Sequence, residues 1–345
     1  MMNCTENNMD NLVLITGGLG YLGSHCVAAL ESQGHRTLVI DNLSNSSANT
    51  LNKLKKVTGK DIQFAQGDIC NQQFLHKIFE SNSVSSVIHF AGLKSVEESI
   101  KNPELYRKNN IEGTKNLLNS MERYGCKKII FSSSATVYGN QKEMPIKESA
   151  TLMPPMNPYG ASKLKVEEIL DKKYQKDKDW SIINLRYFNP IGAHPSGLIG
   201  EENSSRLASN LMPIILEVAA KKRDHLKVFG NDYDTPDGTA IRDYIHVMDL
   251  IEGHCKALQI IKKQNMFLNI NLGTGKGYSV LEIIHAFEQV TGVDIPIVFD
   301  NRRAGDSEIC IADPTLASSV LNWDASHNLN EMCLSSWQFY KTKIK

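Results

Sequence analysis

The sequence predicts an α/β protein, a doubly wound parallel sheet with a smaller C-terminal domain, and three observations predict it. Short apolar runs alternate with helical stretches along the chain. The first run, Leu12-Val-Leu-Ile15, opens at once into Thr16-Gly-Gly-Leu-Gly-Tyr-Leu-Gly23. The second, Thr37-Leu-Val-Ile40, ends on an acid, Asp41. Four consecutive apolar residues suit a strand covered on both faces. Gly17, Gly20 and Gly23 then allow a tight turn, a close ligand approach and close helix packing, and a helix N-terminus behind them attracts phosphate. Spaced glycines alone are common in loops, so the weight falls on Asp41. A carboxylate there can hold both ribose hydroxyls of an adenosine and repels a 2′-phosphate, so the expected cofactor is NAD rather than NADP.

The remaining elements follow in order. After Asp41 comes a polar loop, Asn42-Leu-Ser-Asn-Ser-Ser47, then a helix or turn to Thr58. Ile62 to Asp68 reads as a third strand ending in an acid, Gln72 to Glu80 as a helix, and Ser86 to Gly92 as a fourth strand that runs out into small residues, where a ligand can reach the backbone. Pro103 marks a helix start whose pattern continues to about Tyr124. Lys128-Ile-Ile-Phe131 is a fifth strand, followed by Ser132-Ser-Ser134. Ligands of an open parallel sheet bind beyond the carboxyl ends of its strands, so these hydroxyls are expected in the crevice of Gly17 and Gly92. Asn157-Pro-Tyr159-Gly-Ala-Ser-Lys163 opens a helix to about Tyr174. A dinucleotide domain is expected over 1–188, with 238–265 returning to it, and a non-contiguous substrate domain over 189–345. In the latter, Leu211 to Ala220 is helical and Val228-Phe-Gly-Asn231 a short strand and turn. Gly273-Thr-Gly-Lys-Gly277 looks like a phosphate loop but lacks the Ser or Thr that should follow its Gly-Lys. Ser279 and Glu282 instead form a capping box for a helix from Val280 to Val290.

Composition narrows the partners. Lys plus Arg equals Asp plus Glu at 38 each, so no excess of basic charge points to nucleic acid or an anionic membrane. The 7 cysteines form no Cys-x-x-Cys pair, which fits reduced thiols, and the 10 histidines show no metal-ligand spacing, so no metal is expected. Residues 1–11 are polar (Asn3, Glu6, Asn7, Asn8, Asp10) and no run of 18 apolar residues occurs, so neither a signal peptide nor a membrane anchor is expected and the cytoplasm is the expected location.

Tyr159 and Lys163 are four residues apart and share a helical face. Such a pair alone is more often a surface tyrosine in a lysine-rich helix. Combined with a dinucleotide turn and a serine cluster at a strand end, it comes in the order a tyrosine-dependent dehydrogenase needs. A phenol is a poor base at neutral pH unless its phenolate is stabilised. The Lys163 ammonium and the positive ring of oxidised NAD are expected to do this against the opposing effect of burial. Ser134 is placed to share the proton between a substrate hydroxyl and the phenolate.

Thr16-Gly-Gly-Leu-Gly-Tyr-Leu-Gly-Ser-His25, Asp41-Asn42, His89-Phe-Ala-Gly-Leu-Lys94, Phe131-Ser-Ser-Ser-Ala-Thr-Val-Tyr-Gly139, Asn157-Pro-Tyr-Gly160, Leu185-Arg-Tyr-Phe-Asn-Pro190 and Arg242-Asp-Tyr-Ile-His-Val247 resemble the UDP-galactose 4-epimerase family of extended short-chain dehydrogenase/reductases, from about Leu12 to Trp337. The resemblance implies a Rossmann domain and a tightly held NAD, with Tyr159 as base, Lys163 on the nicotinamide ribose and Ser134 assisting. It places Gly17, Gly20, Tyr21, Leu22, Gly23, Asp41, Asn42, Asn45, Ser46, Asp68, Ile69, Phe90, Ala91, Gly92, Lys94, Asn109, Ser132, Tyr187 and Phe188 around the cofactor. On the substrate it places Lys94, Asn189, Asn210, Leu211 and Tyr244, with Phe229 near the uracil, Arg242 and Arg303 on the pyrophosphate, Asp306 on the uridine ribose and Cys310 beside the sugar 2-position. Arginine forks suit phosphate oxygens, although either arginine taken alone is more often a surface ion pair. Two departures stand out. Gly200-Glu-Glu-Asn-Ser-Ser-Arg-Leu-Ala-Ser-Asn-Leu-Met-Pro213 is one residue longer than the family pattern, which puts contacts from Ser204 to Ser209 in question, and Glu97 replaces a usual glycine.

The activity implied is 4-epimerisation of UDP-galactose and UDP-glucose. Cysteine at 310 leaves room where a tyrosine would not, so UDP-N-acetylglucosamine and UDP-N-acetylgalactosamine are expected substrates too; a buried small hydrophobe is the plainer reading of that cysteine. The alternatives are a UDP-sugar dehydratase or decarboxylase, or a non-catalytic NAD-sensing regulator. Dehydratases carry Asp-Glu after the strand-five hydroxyl where this chain has Ala135-Thr136, and a regulator would be free to lose Tyr159 or Lys163, both of which are present. A homodimer is expected, the helices 103–124 and 159–174 pairing through Leu105, Leu117, Leu118 and Met121 and through Leu164, Val166, Ile169 and Leu170, unless those positions only face the sheet.

Overall fold

The computed structural model describes residues 12–202, 210–303 and 305–344. Strands β1 (Leu12–Thr16), β2 (Arg36–Asp41), β3 (Gln63–Gln66), β4 (Val84–His89), β5 (Lys128–Ser134) and β6 (Ser181–Tyr187) precede β7 (Asn189–Ile191), β8 (Leu226–Phe229) and β9 (Ile241–His246). They are followed by β10 (Phe267–Leu272), β11 (Gly277–Ser279), β12 (Ile297–Asp300) and β13 (Ile309–Cys310). Seven of them form one parallel sheet in the order β10-β6-β5-β4-β1-β2-β3. The chain leaves β1 to one side for β2 and β3, then crosses back to build β4, β5, β6 and β10 on the other. That switch, between β1 and β4, opens a crevice at the carboxyl ends of both strands.

The apolar runs are unbroken because both faces of the sheet are covered. Val13 and Ile15 lie in one buried cluster with residues of the helices Tyr21–Ser32 and Val247–Ile261. Leu12 and Leu14 lie in another with Leu75, Leu117, Leu118, Met121, Val166 and Leu170 of the helices Gln72–Ser81, Gly113–Arg123 and Pro158–Lys176. Strand side chains alternate faces, so alternate residues of one strand serve two cores.

Two local features position the site. Helix Pro158–Lys176 begins where it does because the Asn157 side chain accepts from the Gly160 N–H, Pro158 follows at the first position, and lysines 173 and 176 fall in the last turn. The expected single helix 103–124 is interrupted: Pro103–Tyr106 and Gly113–Arg123 flank a π-helical turn, Arg107–Glu112, that carries Asn110 into the interior. The segment 103–123 and helix Pro158–Lys176 also turn most of the apolar positions expected to pair across a dimer toward the sheet. Leu117, Leu118, Met121, Val166 and Leu170 are buried within the chain, Leu164 and Ile169 are half-buried, and Leu105 remains 45% exposed.

The second unit is a small sheet around β9, paired with β7, β11 and β13, beside a separate β8–β12 pair. Helices Leu211–Ala219, Val280–Thr291 and Leu329–Ile344 share its buried cluster. The expected return at 238–265 splits. Strand β9 belongs to the small sheet, helix Val247–Ile261 packs on the large one, and the chain re-enters the large sheet beyond 265, at β10. Register explains it: β10 pairs along all of β6, whereas β9 has its partners beyond the end of β6. No helix among the described residues is long and apolar enough to cross a membrane.

Candidate active site

The crevice is cut close to the backbone. Gly17 holds φ +68°, and a Cβ on it would sit 2.8 Å from the Ala91 nitrogen; a Cβ on Gly23 would sit 2.2 Å from the Gly17 carbonyl oxygen. On Gly20 it would meet only that same oxygen, at 3.4 Å, so this edge of the turn is open. Gly20 also begins helix Tyr21–Ser32 without a side-chain cap, which leaves N–H groups facing the opening. The Asp41 carboxylate, 7% exposed, accepts from the Leu19 N–H (3.1 Å), the Leu43 N–H (2.9 Å) and the Ser46 hydroxyl (2.7 Å), so turn and loop both aim it. Asn45 and Ser46 line a cleft with Gly20 and Tyr21. Asn42 donates to Asp68 at 2.9 Å. Burial pushes the Asp68 carboxyl up, but the Cys70 N–H, the Asn42 amide and Lys108 outweigh it and hold it below the usual range. Ile69 is buried, Phe90 packs its ring 4.9 Å from His254, and Leu22 lies against the core. An uncapped helix end, an oriented carboxylate and clearance at Gly20 fit a dinucleotide.

At the mouth of the crevice the three serines lie within β5, not after it. Ser134 and Tyr187 are cross-strand neighbours, and the Ser132 and Tyr187 hydroxyls are hydrogen-bonded. Lys163, 5% exposed, donates to the Ser132 carbonyl at 2.8 Å and lies 4.8 Å from the Phe131 ring centre and 5.9 Å from that of Tyr159. Burial lowers the Lys163 ammonium to about 8, with Glu167 opposing. Within the chain alone, burial raises the Tyr159 phenol and the Ser134 hydroxyl recovers only part; the expected stabilisation counts on the positive ring of NAD as well. The reason is that Lys163 spends its charge on a backbone carbonyl and is itself desolvated, so in the chain alone burial wins.

Sequence reasoning passed over several groups that hold this mouth open. Asn110 accepts from the Leu93 N–H (2.8 Å) and donates to the Leu93 carbonyl (3.0 Å) and Ser162 hydroxyl (2.9 Å), tying the Gly92 loop to the Tyr159 helix, while its predicted neighbour Asn109 is half-buried. Only the π-helical turn reveals this. His89 bridges Thr16 (2.6 Å) and Thr114 (2.8 Å), and burial, then Lys163, lowers it to about 3. Glu201 receives both Lys94 (2.7 Å) and the Asn210 amide (3.3 Å).

On the other side the small sheet brings the substrate candidates together. Its register sets Asn189 beside Tyr244 and Arg242 beside Cys310. Arg242 pairs with Asp306 and donates to the Ser307 carbonyl at 2.7 Å, so the two predicted contacts engage each other. The exposed Arg303 guanidinium lies 3.9 Å over the Phe229 ring. Phe188 and Tyr244 are buried, Leu211 opens its helix, and Cys310 is half-buried with its thiol pushed up to about 11, chiefly by burial. Contacts expected from Ser204 to Ser209 lie outside the described residues. Glu97 stands in the first turn of helix Val96–Lys101 and pairs with Lys101 at 2.6 Å, a surface role that suits a carboxylate there. The Gly273–Gly277 loop wraps a carboxylate of its own chain: Asp243 accepts from Thr274, Gly275 and Ala312 N–H groups and the Thr274 hydroxyl. The Ser279–Glu282 capping box is formed.

The profile of the GDP-mannose 4,6 dehydratase family matches residues 14–335. A UDP-glucose 4-epimerase of Bacillus subtilis is 49% identical over 332 residues, covering 96% of this chain and 97% of that one. The chain belongs to the UDP-glucose 4-epimerase family. Among solved structures, the family member from Stenotrophomonas maltophila, with bound NAD and a formylated UDP-arabinopyranose, superposes with a TM-score of 0.93 at 45% identity over 96% of this chain and 98% of that one. One from Bifidobacterium longum, in complex with NAD+ and UDP, gives 0.93 at 43% over the same shares. The profile spans every candidate residue from Gly17 to Cys310.

Proposed function

We propose that this protein interconverts UDP-galactose and UDP-glucose by transient oxidation at the sugar C4 in the presence of bound NAD. The observation that carries the reading is a phenol, Tyr159, whose ring centre lies 5.9 Å from the buried Lys163 ammonium at the mouth of a dinucleotide crevice. NAD, when bound, would supply the two-electron acceptor and donor: the C4 hydrogen leaves as hydride while the 4-hydroxyl loses its proton, the 4-keto sugar turns over, and the hydride comes back to the other face, so C4 is inverted with no net redox change. Tyr159 accepts the proton of the 4-hydroxyl and gives it back. Ser134 links the phenol and the substrate hydroxyl, and Lys163 holds the nicotinamide ribose. The phenol, raised by burial alone, becomes a competent base only with the cofactor's positive charge beside it, which couples proton removal to a loaded site.

The remaining roles follow the family pattern. Asp41, with Asn42, Asn45, Ser46 and Asp68, holds the adenosine end; Arg242 and Arg303 take the pyrophosphate, Asp306 the uridine ribose and Phe229 the uracil; Asn189, Asn210, Leu211 and Tyr244 hold the sugar nucleotide. Cys310 leaves space at the sugar 2-position, so N-acetylated UDP-hexoses are substrates as well. Residues 12–188 with 247–272 act as the cofactor unit and the rest as the substrate unit. The protein works in the cytoplasm as a homodimer, the segments 103–124 and 159–174 pairing across a two-fold axis, with the exposed Leu105 among the contacts and the inward-facing Leu117 and Leu118 serving the core.

Elimination of water needs an acid–base pair where this chain has Ala135-Thr136, which disfavours dehydratase chemistry. Incubating purified protein with UDP-galactose and following UDP-glucose tests the reading. Loss of water or CO₂ from the sugar nucleotide overturns it, and a protein that holds NAD but converts no UDP-hexose supports a regulator. Sedimentation as a monomer at micromolar concentration refutes the dimer.

A further inference from the structure

Directly behind the catalytic groups lies a buried ion pair that the reaction as described does not use. Glu167 follows Lys163 by one helical turn, and Tyr159, Lys163 and Glu167 form one stripe about 12 Å long down the face of helix Pro158–Lys176 that meets the sheet. The Glu167 carboxylate accepts from the Ser133 hydroxyl at 2.5 Å and takes both nitrogens of the Arg186 fork, Nη2 at 2.6 Å and Nε at 3.0 Å. Ser133 on β5 and Arg186 on β6 are partners across the two strands, one residue before the pair Ser134 and Tyr187. One carboxylate therefore grips two strands at the residues that alternate with those facing the reaction. Arg186 continues the chain of contacts to the Tyr138 hydroxyl (3.1 Å), which donates to Asn271 on β10 (2.6 Å). Each of Ser133, Glu167, Arg186, Tyr138 and Asn271 is at most 4% exposed.

We propose that Glu167, clamped by Arg186 and Ser133, is a positioning residue that sets the Tyr159–Lys163 register against Ser132 and Ser134 and keeps Lys163 protonated. The register follows from geometry: a bidentate Arg–carboxylate fork with a third bond to Ser133 leaves the helix no freedom to slide along β5, and a slide moves Tyr159 off Ser134. The charge role follows from the surroundings of Lys163. It faces Tyr159 and Glu167 on its own helix, the Ser132 carbonyl and Phe131 ring on β5, and neutral His89 on β4. On the far side Glu167 faces Arg186 from β6 and, through it, the Tyr138 hydroxyl and the Glu148 backbone carbonyl. Glu167, one turn on along the same helix face, is the carboxylate that favours the ammonium, and burial works in the opposite direction.

The inference rests on Tyr159 and Lys163 carrying the reaction, and the test separates the two. Glu167→Gln keeps the shape and loses the charge. With NAD bound, the alkaline limb of its kcat profile is expected to move down by about one pH unit, KM changing less than two-fold, because Lys163 loses its proton sooner. Glu167→Asp keeps the charge and loses the reach: kcat is expected to fall about ten-fold with the alkaline limb in place. If Glu167→Gln does not fold, as judged by thermal unfolding and retained NAD, Glu167→Gln/Arg186→Met leaves no orphan charge, and the same downward shift is expected. A folded variant without carboxylate at 167 whose alkaline limb and kcat match the parent overturns the inference. Tyr159→Phe is measured alongside. If it stays active, the Tyr159–Lys163 reading has failed; if it is inactive while the charge-free variant is unchanged, only the role of Glu167 has failed.

Discussion

The two sides of the candidate site are held in different ways. On the Tyr159 side nearly every polar group is buried and already bonded to the scaffold: Lys163 to the Ser132 carbonyl, Asn110 to Leu93 and Ser162, His89 to two threonines. On the side of β9 and β13, Asp243 apart, the charged groups are partly or fully exposed; Arg242 pairs with Asp306 and Arg302 with Asp232, while Arg303 rests on Phe229. The first arrangement costs no reorganisation when a ligand arrives, as positioning and proton transfer demand. In the proposed role the second exchanges its internal partners for those of the ligand, so its groups are expected to act on affinity more than on the chemical step.

Mutations should separate the sides. Tyr159→Phe is expected to lower kcat by roughly 10²–10⁴-fold with NAD still bound, measured by conversion of UDP-galactose and by the cofactor content of purified protein. Near-normal turnover removes Tyr159 from the mechanism. Arg242→Met is expected to raise KM about 10- to 100-fold, the worth of one or two charge-assisted hydrogen bonds, with kcat nearly unchanged. An equal loss in kcat alone would erase the contrast between the two sides. Cys310→Tyr should abolish turnover of the N-acetylated substrates while sparing UDP-galactose; if the parent protein converts UDP-galactose but neither N-acetylated sugar, the Cys310 reading is wrong.

The smallest effect is on stability and comes from buried histidines on both sides. His25 and His89 are lowered by burial to about 3, His246 and His254 to about 4. The unfolded chain takes up these protons below its ordinary histidine value of about 6.5, whereas the folded chain does not until about pH 3 to 4, so stability is fully present above pH 6.5 and is lost as pH falls. The midpoint of thermal unfolding is expected to drop by several degrees between about pH 6.5 and pH 5. A flat midpoint over that range would show that these histidines charge freely in the fold.

How much was legible in advance follows the same division. The sequence alone determined the cofactor crevice, because local rules govern it: apolar runs covered on both faces, glycines where a Cβ would strike Ala91 or the Gly17 carbonyl, an acid closing β2, an Asn-Pro start for the helix of Tyr159. It also marked Arg242, Arg303, Asp306 and Cys310 through the resemblance of their motifs. What only the tertiary structure decided is which groups face one another across the sheet. The π-helical turn that turns Asn110 inward, the re-entry of the chain at β10 instead of within 238–265, the carboxylate inside the Gly273 loop and the engagement of Arg242 by Asp306 all join residues far apart in sequence. The state of Tyr159 belongs here too: the spacing of Tyr159 and Lys163 announces a shared helical face, but whether burial or charge governs the phenol depends on where the ammonium points, and β5 supplies a carbonyl that holds it. Spacing along a chain reports who shares a face; desolvation and pairing are set by what that face is packed against.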